Sequence, residues 1–203
     1  MLITKEELIR FESHVAQLWE DGELPFLIHL SSGNEDQLIQ IFYDLHKRGD
    51  WVFSSHRNHY HALLAGVPAN KVLDAIKSGN SMFVFDSANN FYSSAILAGT
   101  ACIAAGVAYS LKESGSTSKV LCFLGDGAEE EGHFYEAVMM VESHELPCTF
   151  IIEDNNRSVD TTLKERSPRE FRLSWPRCVR RYSYASGFPH AGNGTKKLIK
   201  FKL

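Results

Sequence analysis

No run of about 18 uncharged apolar residues occurs in this 203-residue chain, so the sequence offers no membrane-spanning helix. Its first residues, MLITKEELIRFESH, lack the basic-then-apolar order of a secretory signal. Cysteine is sparse: Cys102, Cys122, Cys148 and Cys178 are widely spaced and form no CxxC pair. That pattern excludes a disulfide scaffold and points to a reducing, cytoplasmic setting. Positive charge is not in excess, since 21 Lys and Arg against 25 Asp and Glu leave a formal charge of −4. Nothing electrostatic therefore argues for nucleic acid. Neither GxGxxG after a strand nor GxxxxGK(S/T) occurs, which disfavours an ordinary dinucleotide or triphosphate site. Repeats and low-complexity segments are also missing. What is present is globular composition, 44% apolar and 23% charged, enough to bury one core. A single domain over residues 1–203 is the expectation.

Thr4 followed by Glu7 forms a capping box, and Leu8, Phe11, Val15 and Leu18 recur at helical spacing up to Gly22. A second helix is expected from the N-cap candidate Asn34 through Leu38, Phe42 and Leu45 to Gly49. Pro68 opens a short helix that Gly79 closes, and SMFVFDSANNFYSS reads as a strand or loop leading to a site. From about residue 95 to 111 nearly every position is small or apolar, the mark of a buried helix with close backbone approach. KVLCFL and CTFII are short apolar runs on either side of a helical stretch at about 133–144. Strand, helix, strand implies a parallel sheet with helices on both faces, an α/β three-layer fold, with ligands at the carboxyl ends of the strands. Beyond Asn156 periodicity disappears: an irregular segment at about 157–194 is expected before a short terminal strand, LIKF.

Both polar clusters, Gly125-Asp126-Gly127 and Glu153-Asp154-Asn155-Asn156, fall at such strand ends. Glycine permits close ligand approach, and the Asp126 carboxylate is a hard oxygen donor. The amides of the following helix suit a phosphorylated ligand. Asn155, a carbonyl near Arg157, phosphate oxygens and water could complete a magnesium shell. The alternative is that both clusters are simply turns. Upstream, HRNHYHALLAG crowds three histidines and an arginine into a few residues. Arg57 suits phosphate oxygens or a surface ion pair; His56, His59 and His61 suit charge stabilisation and proton relay or a structural role. Glu129 and Glu130 read as a solvated helix start, and Glu136 as either a surface glutamate or an interface contact.

GDG followed after 27 residues by Asn155-Asn156 resembles the thiamine diphosphate motif of the transketolase and 2-oxo acid dehydrogenase E1 enzymes. The stretch GDGAEEEGHFYEAVMMVESHELPCTFIIEDNN is particularly similar to the E1 alpha subunit, and EDNNRSVDTT echoes the transketolase version. The resemblance covers roughly residues 52–162. It implies a thiamine diphosphate-binding (diphosphate-domain) fold, with Mg2+ held by Asp126, Asn155 and the main-chain oxygen near Arg157. It further implies that Arg57 meets the diphosphate, that Gly125, Gly127 and Ala128 border the cofactor, and that His59, with His56 beside it, stands near the reacting centre. NFYSSAILAG is similar to the segment holding the aminopyrimidine, around Ala95 and Leu97.

In this family a glutamate on a separate pyrimidine-binding domain activates the cofactor. The resemblance therefore implies a beta-type partner and a hetero-oligomer or self-association, acting on a 2-oxo acid or ketose. Oxidative decarboxylation of a 2-oxo acid is the leading function; a transketolase-like subunit moving a two-carbon ketol group, or a non-catalytic scaffold or regulatory subunit, are the alternatives. Only 47 residues follow Asn156, fewer than E1 alpha subunits normally carry there, which leaves a complete subunit, a fragment or an inactive relative open.

Overall fold

The structure, a computed structural model, describes residues 3–158, 161–167, 169 and 173–188. Helix α1 (Lys5–Glu20) starts at the anticipated capping box, Thr4 Oγ1 accepting from the Glu7 amide at 3.2 Å and the Glu7 carboxylate accepting from the Thr4 amide at 2.7 Å. It buries Leu8, Val15 and Leu18 together with a carboxylate, Glu12. Helix α2 (Glu35–Leu45) follows Asn34, but the Asn34 side chain caps nothing. It donates instead to Glu153 and to Tyr182, across the molecule. Strand β1 (Trp51–Ser54) runs directly into the histidine-rich segment, which forms α3 (His59–Leu64). Helix α4 (Ala69–Lys77) begins one residue after Pro68. The next segment folds as a hairpin, β2 (Phe85–Asp86) and β3 (Phe91–Ser93), around a 3-10 turn.

Helix α5 (Gly99–Glu113), strand β4 (Val120–Gly125), helix α6 (Gly132–Ser143) and strand β5 (Cys148–Asp154) then follow as the periodicity predicts. The segment beyond Asn156 is less irregular than expected. It holds a small ladder, β6 (Arg157–Ser158) with β7 (Thr161–Thr162), one turn of helix, α7 (Leu163–Arg166), and a fifth parallel strand, β8 (Val179–Ser183). LIKF and the end of the 157–194 segment lie outside the described residues.

The main sheet has the order β2-β3-β1-β4-β5-β8, parallel throughout except for the antiparallel β2–β3 edge, so it is mixed rather than purely parallel. Alternation along β4 and β5 divides the core between two faces. Leu121, Phe123 and Ile151 point to the side covered by α1–α4, where Phe42 stacks on Phe123 with centroids 5.3 Å apart. Cys122, Leu124, Phe150 and Ile152 point to α5 and α6. Ala101, Ala104, Ala105 and Ala108 are fully buried, and their small side chains let α5 lie close to the sheet and to α6. Burial holds on that face only, because Ile103 on the opposite side is 47% exposed. Among the described residues no helix is long and apolar enough to cross a membrane.

Candidate functional site

Parallel strands place their following loops on one edge of the sheet, and here those loops enclose a cavity of about 250 Å3. The loop after β1 contributes His56 and Arg57, that after β3 contributes Ala95 and Leu97, and that after β4 contributes Gly125, Gly127 and Ala128. Asn155 and Arg157 enter from the end of β5. Residues scattered over about a hundred positions of sequence are thus brought together by topology alone.

Asp126 stands one step behind this group. It opens a 3-10 turn (Asp126–Glu130), so the amides after GDG belong to that turn and not to α6, as had been expected. The carboxylate is 2% exposed and borders an adjoining cavity of about 290 Å3. Its Oδ2 pairs with the Arg166 guanidinium at 2.8 Å, whereas its Oδ1 is buried with no hydrogen-bond partner among the described residues. A buried carboxylate oxygen left unpaired is costly and is the kind of atom a cation satisfies. Gly127 shows why the motif needs glycine there: a Cβ would lie 2.2 Å from Ser158 Oγ and 2.5 Å from Ser158 Cβ. The two strand-end loops consequently touch. Asn155 Oδ1 accepts the Arg157 amide at 3.0 Å and keeps a second lone pair for another partner.

Arg57 is 7% exposed and donates to the Leu30 carbonyl, so burial removes the surface ion-pair alternative. His56 meets His29 edge-on, with ring centroids 4.8 Å apart, and both line the cavity. His29 was missed in the sequence reading; the signal was a lone histidine inside the apolar stretch FLIHL. Tyr184, just past β8, also lines the cavity and was missed, because the charged strand before it shows no core pattern.

His59, expected near the reacting centre, does not line the cavity. It is fully buried, with Nδ1 3.0 Å and 3.2 Å from the two Glu12 carboxylate oxygens and Nε2 3.0 Å from Ser81 Oγ. Both ring nitrogens are engaged away from the cavity. Glu12 also accepts the Ser31 amide at 2.8 Å, and Ser31 Oγ donates to the Arg57 carbonyl at 3.3 Å. One buried carboxylate thereby pins the two loops that carry His29 and Arg57. Glu12→Ala should cost about 3 kcal/mol of stability, because it strands His59 and a buried amide. Urea unfolding checks this, and an unchanged midpoint would show that the cluster carries no load.

His61 is likewise structural, with Nδ1 2.9 Å from Ser54 Oγ and Nε2 3.2 Å from Glu153 Oε1. Glu129 is not a solvated helix start: it is 8% exposed, accepting from Trp175 Nε1 at 2.7 Å and pairing with Arg181. Glu130 pairs with Arg166 at 3.0 Å, and Glu136 is exposed on α6. The Leu97 carbonyl accepts from His133 at 3.0 Å, while Leu97 and Ile96 leave 44% and 70% of their surfaces exposed at the rim of the cavity.

The chain is 35% identical to the pyruvate dehydrogenase E1 component subunit alpha of Rickettsia typhi over 166 residues, which is 77% of this chain and 51% of that protein. The corresponding subunit of Porphyra purpurea is 30% identical over 78% of this chain and 52% of its own length. The alpha subunit of acetoin:2,6-dichlorophenolindophenol oxidoreductase from Bacillus subtilis is 30% identical, over 73% and 47%. The chain therefore spans about half the length of the curated relatives it matches. The family model described as dehydrogenase E1 component matches residues 4–170, most of the chain and every strand-end loop of the cavity except that after β8, and the chain belongs to that family.

Proposed function

We propose that the chain is the diphosphate-binding half of a magnesium- and thiamine diphosphate-dependent E1 alpha-type subunit, acting with a beta-type partner in the oxidative decarboxylation of a 2-oxo acid. The observation that carries this is the buried, unpartnered Asp126 Oδ1 at the strand end next to Asn155. Its donor set fits magnesium, which takes oxygen ligands and is commonly bound through one or two carboxylates plus ligand phosphates. Asp126, Asn155 and the Arg157 carbonyl would hold the ion, and Arg57 would meet the diphosphate. His56 and His29 would face the reacting end, where an imidazole can hold or pass a proton. When bound, the cofactor supplies the nucleophilic carbon and the electron sink for breaking the carbon–carbon bond. The names of the relatives favour a 2-oxo acid over ketol transfer, since two of them are pyruvate dehydrogenase subunits.

Ile96 and Leu97, apolar and exposed at the rim, are where the partner would close the cavity and exclude water. The test is pyruvate-dependent reduction of an artificial electron acceptor by the chain together with its beta-type partner. Turnover should require both Mg2+ and thiamine diphosphate. Arg57→Met should raise the half-saturating cofactor concentration about tenfold, the scale of one lost charge-assisted hydrogen bond. Cofactor-independent turnover, or an Arg57→Met variant that saturates like wild type, would contradict this assignment.

A further inference from the structure

A side chain that neither the family motifs nor the sequence pattern assign reaches the cavity from the far edge of the sheet. The Tyr184 amide donates to the Asp154 carbonyl at 3.0 Å, carrying the β5–β8 ladder one residue past the strand. This places the Tyr184 ring in the cavity wall with Arg57, Asn155 and Ser158. The chain is pinned on both sides of it. Tyr182 donates its hydroxyl to Glu153 Oε1, which also accepts from Asn34 at 3.0 Å and from His61 at 3.2 Å. Further on, Ser32 Oγ accepts the amides of Gly187 at 2.8 Å and Phe188 at 3.1 Å. Gly33 packs so tightly that a Cβ would fall 2.1 Å from the Ala185 carbonyl oxygen, and its φ of +83° suits glycine.

The Arg57 guanidinium and the Asn155 side chain share this cavity wall with Tyr184. The guanidinium is a donor only, so Arg57 cannot accept the phenolic proton. A tyrosine hydroxyl is an uncharged donor at neutral pH. A neutral donor next to an arginine suits an anionic oxygen.

We propose that Tyr184 is a binding residue for the phosphate end of the cofactor, donating its hydroxyl proton to a diphosphate oxygen beside Arg57. This rests on the magnesium–thiamine diphosphate assignment of the cavity. The test is calorimetric titration of Mg2+-pyrophosphate, and of thiamine diphosphate with Mg2+, into the full chain and its Tyr184→Phe variant. Phenylalanine preserves the ring contact with Tyr182, whose centroid lies 5.9 Å away, and removes only the hydroxyl. Both probes should bind the variant about five- to tenfold more weakly, with an unchanged urea midpoint. Equal affinities in the two proteins would overturn the role of Tyr184 and leave the cavity assignment standing. Failure of wild type to bind either probe would overturn both.

Discussion

Exchanging Asp126 for asparagine should lower the affinity for Mn2+, used as a spectroscopic stand-in for Mg2+ in the presence of pyrophosphate, by at least about 100-fold. The carboxylate has two oxygens in different situations. Oδ2 is paired with Arg166, and Oδ1 is buried and unpartnered. Asparagine keeps the volume and one acceptor but removes the charge that a hard cation needs. The surrounding turn keeps its tether, because Arg166 also pairs with Glu130 and donates to the Thr161 carbonyl at 2.7 Å. Free Mn2+ measured by electron paramagnetic resonance reports the affinity directly. Wild-type affinity in the Asp126→Asn variant would place the cation elsewhere.

The chain by itself should decarboxylate pyruvate at least about 1,000-fold more slowly than the chain with its beta-type partner, even with saturating Mg2+ and thiamine diphosphate. Activating the cofactor through its aminopyrimidine needs a carboxylic acid placed against that ring. Among the described residues lining the cavity the sole carboxylate is Glu153, and its Oε1 is already committed to Tyr182, Asn34 and His61. The remaining ionisable groups there are His29, His56, Arg57, Arg157 and Tyr184, none of them a carboxylate. In the proposed function the beta-type partner supplies that acid. Comparable turnover by homogeneous chain and by the complex would show that a group in this half does the work.

The parts of this site that could be read in advance are those whose chemistry and backbone demand coincide. Gly127 must be glycine because Ser158 occupies the space of its Cβ, and Asp126 sits between two glycines at the end of an apolar strand. The crossover through α6 follows from its apolar period, and the capping box of α1 from two residues. Strand β1 was hidden because it is four residues long and runs straight into the histidine cluster. Strand β8 was hidden for a different reason: VRRYS is an edge strand, largely exposed, so no buried face imposes alternation on it. With it went Tyr184.

Histidine posed the harder problem. His56, His59 and His61 look alike in sequence, yet only His56 faces the cavity, because α3 begins at His59 and turns the other two into the core. What separates them is the position of their acceptors, Glu12 and Glu153, which lie 47 and 92 residues away in the chain. Asn34 shows the same limit, since a residue suited to capping was drawn instead into a contact with Glu153, 119 residues distant. Local propensity does not report such long-range partners.

The most direct measurement is calorimetric titration of thiamine diphosphate into the wild-type chain in Mg2+ buffer and again in buffer with a metal chelator. Saturable one-to-one binding that requires Mg2+ is the outcome that follows from a cation held between the Asp126 and Asn155 strand ends. Binding that is unchanged by the chelator, or no heat in either buffer, would mean that these strand ends are not a magnesium-diphosphate site.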